Sequence, residues 1–203
     1  MTGAEAEVNQ PTEEQPSAAP SAAAKQQPSD QTEEAEKVWP PLSPEDHRFY
    51  NSMSAKMDQI HNYFRASWNE LWNACQSGKR PRHKSLNEFL SGGLQFTEHL
   101  EAHHNIEERF FFPMLAAKMP EFRPDNGPMV EQHKVIHTGL AELQAYLRDC
   151  KRGKADFELR VLKSKMEPWA EVLWQHLDEE VKNLRADNMR KYFTKAEFSR
   201  IMI

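Results

Sequence analysis

The stretch His103-His104-Asn105-Ile106-Glu107-Glu108-Arg109-Phe110-Phe111-Phe112-Pro113 decides how this chain is read. Two adjacent histidines stand four residues before two adjacent glutamates. On a helix, residues i and i+4 share a face one turn apart, so His103 with Glu107, or His104 with Glu108, can aim at one point. An imidazole supplies a neutral nitrogen donor and a carboxylate an anionic oxygen, a pairing that suits a divalent cation. Pro113 has no N–H for the carbonyl of Arg109, so the helix is expected to kink there.

The same spacing recurs outward in both directions. His99-His103, His133-His137 and His176-Glu180 repeat it. Five of the nine histidines thus have His or Glu four residues on, where composition alone would give roughly two. Pairs on three helices, joined by a lone histidine on a fourth, could converge on one metal centre in a bundle core. The lone residue is expected to be His61 rather than His47. At about 1.5 Å of rise per residue, His61 lies nearer the height of the other pairs.

Around these residues the apolar positions recur at three and four, which is helical periodicity; no alternating strand pattern of comparable length occurs. Helix A is expected from Ser43, a plausible N-cap followed by Pro44, to Gly78, with Tyr50, Met53, Met57, Ile60, Phe64, Trp68, Leu71 and Cys75 on its core face. Helix B is expected from Ser85 towards Met119, burying Leu86, Phe89, Leu90, Leu94, Phe96, Leu100, Ile106, Phe110, Met114 and Leu115. Helix C spans about Pro128 to Arg148 and helix D about Asp156 to Arg185. Thr194-Lys195-Ala196-Glu197 has capping-box spacing and predicts a short extra helix carrying Phe198 and Ile201. The expected fold is all-α: an antiparallel up-down-up-down four-helix bundle over residues 41–203.

Composition sets the remaining bounds. Residues 1–40 are rich in Ala, Pro, Glu, Gln and Ser and are expected to form a disordered acidic tail, either a linker or a segment that binds a protein partner. Residues 1–38 hold eight acids against two lysines, so the net charge of −5 belongs to that segment and the remainder is nearly neutral. A nucleic-acid partner is not expected, because no strong basic field is left. A membrane span is not expected either, since no apolar run approaches the roughly 20 residues required. Two cysteines, Cys75 and Cys150, cannot build a disulfide scaffold. With no apolar leader pattern, the expected location is cytoplasmic.

In order and spacing, His61, the His103-x3-Glu107 element running into Phe-Phe-Phe-Pro, Glu131-Gln132-His133-x3-His137 and His176-Leu177-Asp178-Glu179-Glu180 resemble the hemerythrin (HHE cation-binding) family, closest to its fungal members. The resemblance covers about residues 44–186. It implies a non-haem diiron centre, oxo- or hydroxo-bridged, with manganese or zinc as alternative occupants. His133, His137 and His176 would hold one iron, His61 and His103 the other, and Glu107 and Glu180 would bridge them. The His104-Glu108 pair is the alternative register for the second helix. O2 or another small ligand such as NO would bind at an open iron position. The resemblance departs in one place. Oxygen carriers set an aspartate five residues after the last histidine, whereas position 181 is Val and the carboxylate is Glu180.

Three functions follow from this reading. The first is a diiron protein that binds O2 or NO for sensing, oxygen handling or iron handling. The second is a diiron oxidase, peroxidase or NO-repair enzyme. The third is a bundle that has lost its metal and serves as an interaction module.

Overall fold

The computed structural model describes residues 39–201. By its contacts the chain divides into residues 1–40 and 41–203; the account below concerns the second unit. The expected tail lies outside the described residues except for its last two.

The elements are α1 (Pro44–Tyr50), α2 (Ser52–Ser77), α3 (Leu86–Ile106), a π-helical turn (Glu107–Phe111), α4 (Phe112–Ala116), a 3-10 turn (Pro120–Phe122), α5 (Pro128–Lys151), α6 (Leu159–Asn183), α7 (Ala186–Tyr192) and α8 (Lys195–Ile201). No strand occurs among the described residues. The long helices α2, α3, α5 and α6 form the bundle. α2 packs against α3 and α6, and α5 packs against the same two, which closes a ring of four. Short connections make successive members antiparallel.

Local chemistry explains the ends. Ser43 Oγ accepts the Asp46 N–H at 3.1 Å. Ser85 and Glu88 form a reciprocal capping box at the start of α3. α2 stops at Gly78, which adopts φ +66°, a left-handed conformation that glycine enters without a Cβ penalty. Thr194 and Glu197 build the expected capping box before α8.

Three expectations change in detail. Helix A is broken at Asn51, whose Oδ1 accepts the Ala186 N–H at 3.3 Å. Helix D ends at Asn183 and hands over to α7, which the sequence reading did not separate. Helix B ends at Ala116 rather than Met119, and it passes through a π turn in place of a simple kink. In that turn the Phe112 N–H reaches the carbonyl of Glu107, five residues back. The extra residue sits immediately before Pro113, where the α-helical ladder lacks a donor. Because of it, the buried face steps from Glu107 to Phe112 to Leu115. Ile106, Phe110 and Met114, expected in the core, are therefore turned outward at 50%, 52% and 38% exposure. Ile60 of α2 and Leu86, at the first position of α3, are exposed as well.

The core has two parts. One lies among Phe64, Trp68, Leu94, Leu100, Leu140, Met166, Trp169 and Leu173. The other joins Met53, Met57, Phe112, Leu115, Phe122 and Met129 to Leu184, Met189, Phe193 and Phe198 of the C-terminal segment. In every long helix the residues between these parts are polar: His61 on α2, His103, His104 and Glu107 at the end of α3, His133 on α5, and His176 and Glu180 on α6. A layer of imidazoles and carboxylates thus crosses the bundle between two apolar regions.

Candidate metal centre

The polar layer is built from two groups that share a carboxylate. His61, His103, Glu107 and Glu180 each place one nitrogen or oxygen within 4.8 Å of the others. His104, Glu107, His133 and His176 do the same. In the first group, His61 Nε2 is 3.3 Å from Glu180 Oε2 and 3.3 Å from His103 Nε2, and His103 Nε2 is 3.0 Å from Glu107 Oε1. In the second, His133 Nε2 is 3.2 Å from His176 Nε2 and 3.6 Å from Glu107 Oε2. Glu180 Oε2 also lies 3.7 Å from His176 Nε2. Each carboxylate therefore faces one imidazole of either group.

The outer ring nitrogens are already assigned. His61 Nδ1 donates to the Leu177 carbonyl at 2.9 Å. His176 Nδ1 donates to Gln132 Oε1 at 3.2 Å, and the Gln132 amide is held in turn by Glu179 at 2.7 Å. His133 Nδ1 donates to Glu108 Oε1 at 2.7 Å. A proton on Nδ1 leaves Nε2 with a bare lone pair, and the three Nε2 atoms point inward. Burial, followed by the neighbouring rings, holds His104 and His176 well below the ordinary imidazole range and lowers His103 to about 3. Burial lowers His133 too, against the pull of Glu108. Neutral rings are the ligating form.

Several polar atoms of these groups make no hydrogen bond in the protein. Both carboxylate oxygens of Glu107, Oε2 of Glu180 and both ring nitrogens of His104 are buried without a hydrogen bond. His104 is fully buried, and each of the two carboxylates is only 1% exposed. A lone buried carboxylate costs several kcal/mol even after relaxation. Burial first, then the charges of Glu180 and Glu108, push the Glu107 carboxyl well above its usual range. Cations at the two groups would satisfy the carboxylate oxygens and one nitrogen of His104, so the residues fit a metal pair.

The sequence-predicted residues are distributed unevenly. His61, His103, Glu107, His133, His176 and Glu180 all stand in the two inner groups. His137 stands outside them, 31% exposed, with Nε2 3.2 Å from Glu108 Oε1. His104, read from sequence only within an alternative register, occupies the inner position instead. Its ring stacks on His133 with centroids 3.8 Å apart and planes at 13°. Glu108 is turned outward by the π register and holds His133 and His137 together as a third, outer group. His99 bonds Tyr63 at 3.1 Å and takes no part in the cage. His47 and His83 are exposed. The sequence signals for His104 were the doubled histidine and its spacing to Glu108, which pointed to the wrong carboxylate partner, and the roles of Gln132 and the Leu177 carbonyl left none.

A family model for the hemerythrin HHE cation binding domain matches residues 52–185. The chain belongs to the hemerythrin HHE cation-binding family. That match spans α2 to α6, the elements that supply every residue of the cage. Among curated proteins, the HHE chain is 26% identical over 153 residues to the dimeric xanthone biosynthesis cluster protein R11 of Cryptosporiopsis sp. (strain 8999). The aligned region is 71% of this chain and 56% of that relative, so the chain spans little more than half of the relative's length. No solved structure matches it. Family and cage together make this a hemerythrin-like metal-binding protein. No helix among the described residues is long and apolar enough to cross a membrane.

Proposed function

We propose that the cage holds two iron ions bridged by Glu107 and Glu180, and that the protein binds O2 or a similar diatomic ligand at one of them. One iron would be held by His61 and His103, the other by His104, His133 and His176. His104 takes the place the resemblance gives to His137, because its ring is inside the cage while His137 is engaged by Glu108 at the surface. The observation that carries the reading is the pair of buried carboxylates, three of whose oxygens make no hydrogen bond, each placed between imidazoles of both groups. Manganese or zinc could occupy the same donors, since affinity order alone does not select iron.

A bound iron pair would supply redox chemistry and Lewis acidity. The protein's own part is orientation and exclusion of water. The Leu177 carbonyl, Gln132 and Glu108 fix three rings by their Nδ1 atoms, and the apolar regions on either side keep the layer dry. The His61–His103 group offers two nitrogens and the other group three, so a metal held by the first would have the fewer protein ligands and the more room for a small molecule. An oxidase is the second reading, favoured by the biosynthetic-cluster name of the relative.

The test is metal content with the visible spectrum of the full chain, reduced anaerobically and then exposed to air. The expected result is about two irons per chain, with absorption bands that form in air and are lost in His103→Ala. Bands that bleach on removing O2 support reversible binding, and bands that persist support the oxidase. Absence of bound iron after reconstitution overturns the diiron reading.

A further inference from the structure

The cage is closed on nearly every side. Side chains of His61, Glu107, His133, His176 and Glu180 are at most 1% exposed, and His104 is fully buried. Of the inner-group side chains, His103 alone reaches the surface to any extent, at 10%. It does so at the bottom of a groove of about 200 Å³ between α2 and the end of α3. His103 and Glu107 form the floor. The walls are Met53, Met57, Ile60, Ile106 and Phe111, all apolar, with two thioethers and one aromatic ring. Ile60 and Ile106 stand outside the core, 42% and 50% exposed. Lys56 supplies the one cationic side chain of the lining, and it makes no ion pair among the described residues.

We propose that this groove binds a compact, flat apolar molecule of one or two rings that carries an anionic group, and holds it against the His61–His103 metal position. The proposal rests on the metal reading above for its purpose, though not for the binding itself. Volume sets the size: an apolar cavity of about 150 Å³ accommodates benzene, and drug-sized ligands need about 300 Å³ or more. The walls set the character, because methionine sulfur and aromatic edges favour π-faces. Lys56 sets the charge, its exposed ammonium complementing a carboxylate or phenolate. The floor sets the position, since a molecule filling the groove touches His103 and Glu107. This orientation brings the occupant to the metal position with fewer protein nitrogens. The groove thus selects what reaches the centre, a task that a diatomic ligand alone does not require.

The experiment is calorimetric titration of the iron-loaded full chain with 2-naphthoate and, separately, with neutral 2-naphthalenemethanol. Metal content is measured on the same samples, so a failed metal reading is told apart from a failed groove. The expected result is saturable binding of naphthoate. Lys56→Glu weakens naphthoate about fivefold and leaves the neutral probe unchanged. Ile106→Glu, at a half-exposed position that tolerates a polar side chain, weakens both about tenfold. Iron content stays the same in both variants. The proposal is overturned if naphthoate does not bind, or if both variants bind it as tightly as the parent chain. It is also overturned if sedimentation shows a dimer that Ile106→Glu dissociates, which would assign the groove to a second copy.

Discussion

Replacing His104 with Leu should stabilise the metal-free protein and destabilise the metal-loaded one. In the metal-free chain the ring is fully buried, and neither of its nitrogens has a partner. A neutral imidazole carries one donor and one acceptor, and each orphaned buried group costs about 1–3 kcal/mol. Leu removes both. Against this, the stacked pair with His133 is lost, worth about 0.5–1.5 kcal/mol. Repacking a different shape costs up to about 1.5 kcal/mol more. The balance is a gain of about 1–3 kcal/mol, or roughly 3–8 °C in Tm for a domain of this size. With metal, the sign reverses. The parent gains about 4 kcal/mol at a free metal concentration a thousandfold above Kd, and His104→Leu forfeits the share of the ion that His104, His133 and His176 would hold. Urea unfolding of both proteins, in chelator and then in excess metal, measures all four stabilities. His137→Leu is the control. Its ring is 31% exposed and bonded only to Glu108, so its effect in chelator should stay within about 0.5 kcal/mol. A His104→Leu protein less stable than the parent in chelator would refute the reasoning, because it would mean the ring nitrogens are already satisfied.

Other substitutions separate the parts of the site. Glu108→Ala removes the acceptor that orients His133 and should weaken metal binding about 10–100-fold, with Glu108→Gln partly rescuing it; competition with a chromophoric chelator reads both. His103→Ala and His104→Ala should each lower bound metal from about two ions per chain to about one, as measured by elemental analysis, because each ring serves a different group. An unchanged metal content in either variant would remove that ring from the ligand set. Burial pushes the Cys75 thiol up to about 11, so at pH 8 its alkylation should be roughly a hundredfold slower than that of a free thiol and should keep rising until about pH 11, followed by mass spectrometry. Gly139→Ala would bring a methyl within 2.2 Å of Trp169 Cδ1 and should cost about 1–3 kcal/mol or more in urea unfolding.

The bundle was legible because its signals are local. Three- and four-residue spacing marked the four long helices, and Ser85, Gly78 and Thr194 marked ends that the structure caps as expected. The paired spacings also singled out the residues that fill the polar layer. What sequence could not show depends on a single extra residue. A regular helix through Pro113 would keep Ile106, Phe110 and Met114 on one face, as periodicity suggests. The π turn moves that face outward and turns Phe112 and Leu115 inward. α7 was hidden for a different reason. Its seven residues have little periodicity of their own, and it is held by tertiary contacts such as the Asn51 side chain on the Ala186 N–H.

The doubled motif itself posed a choice between two registers, and the structure brings His103 and His104 both into the polar layer. Adjacent residues on a helix point about 100° apart, so His103 and His104 cannot serve one ion. They can serve two ions on either side of a residue lying between their directions. Glu107 is that residue, four positions after His103 and three after His104, and its two oxygens face His103 on one side and His133 on the other. Glu108 falls outside this arrangement because the π turn begins at Glu107. Its carboxylate is then free to hold His133 and His137 from the surface. On the proposed dinuclear reading, His-His-x-x-Glu-Glu would supply one inner ligand to each of two sites, a shared carboxylate and an outer support. A single ion held by His61, His103, Glu107 and Glu180 would leave both ring nitrogens of His104 buried without a hydrogen bond.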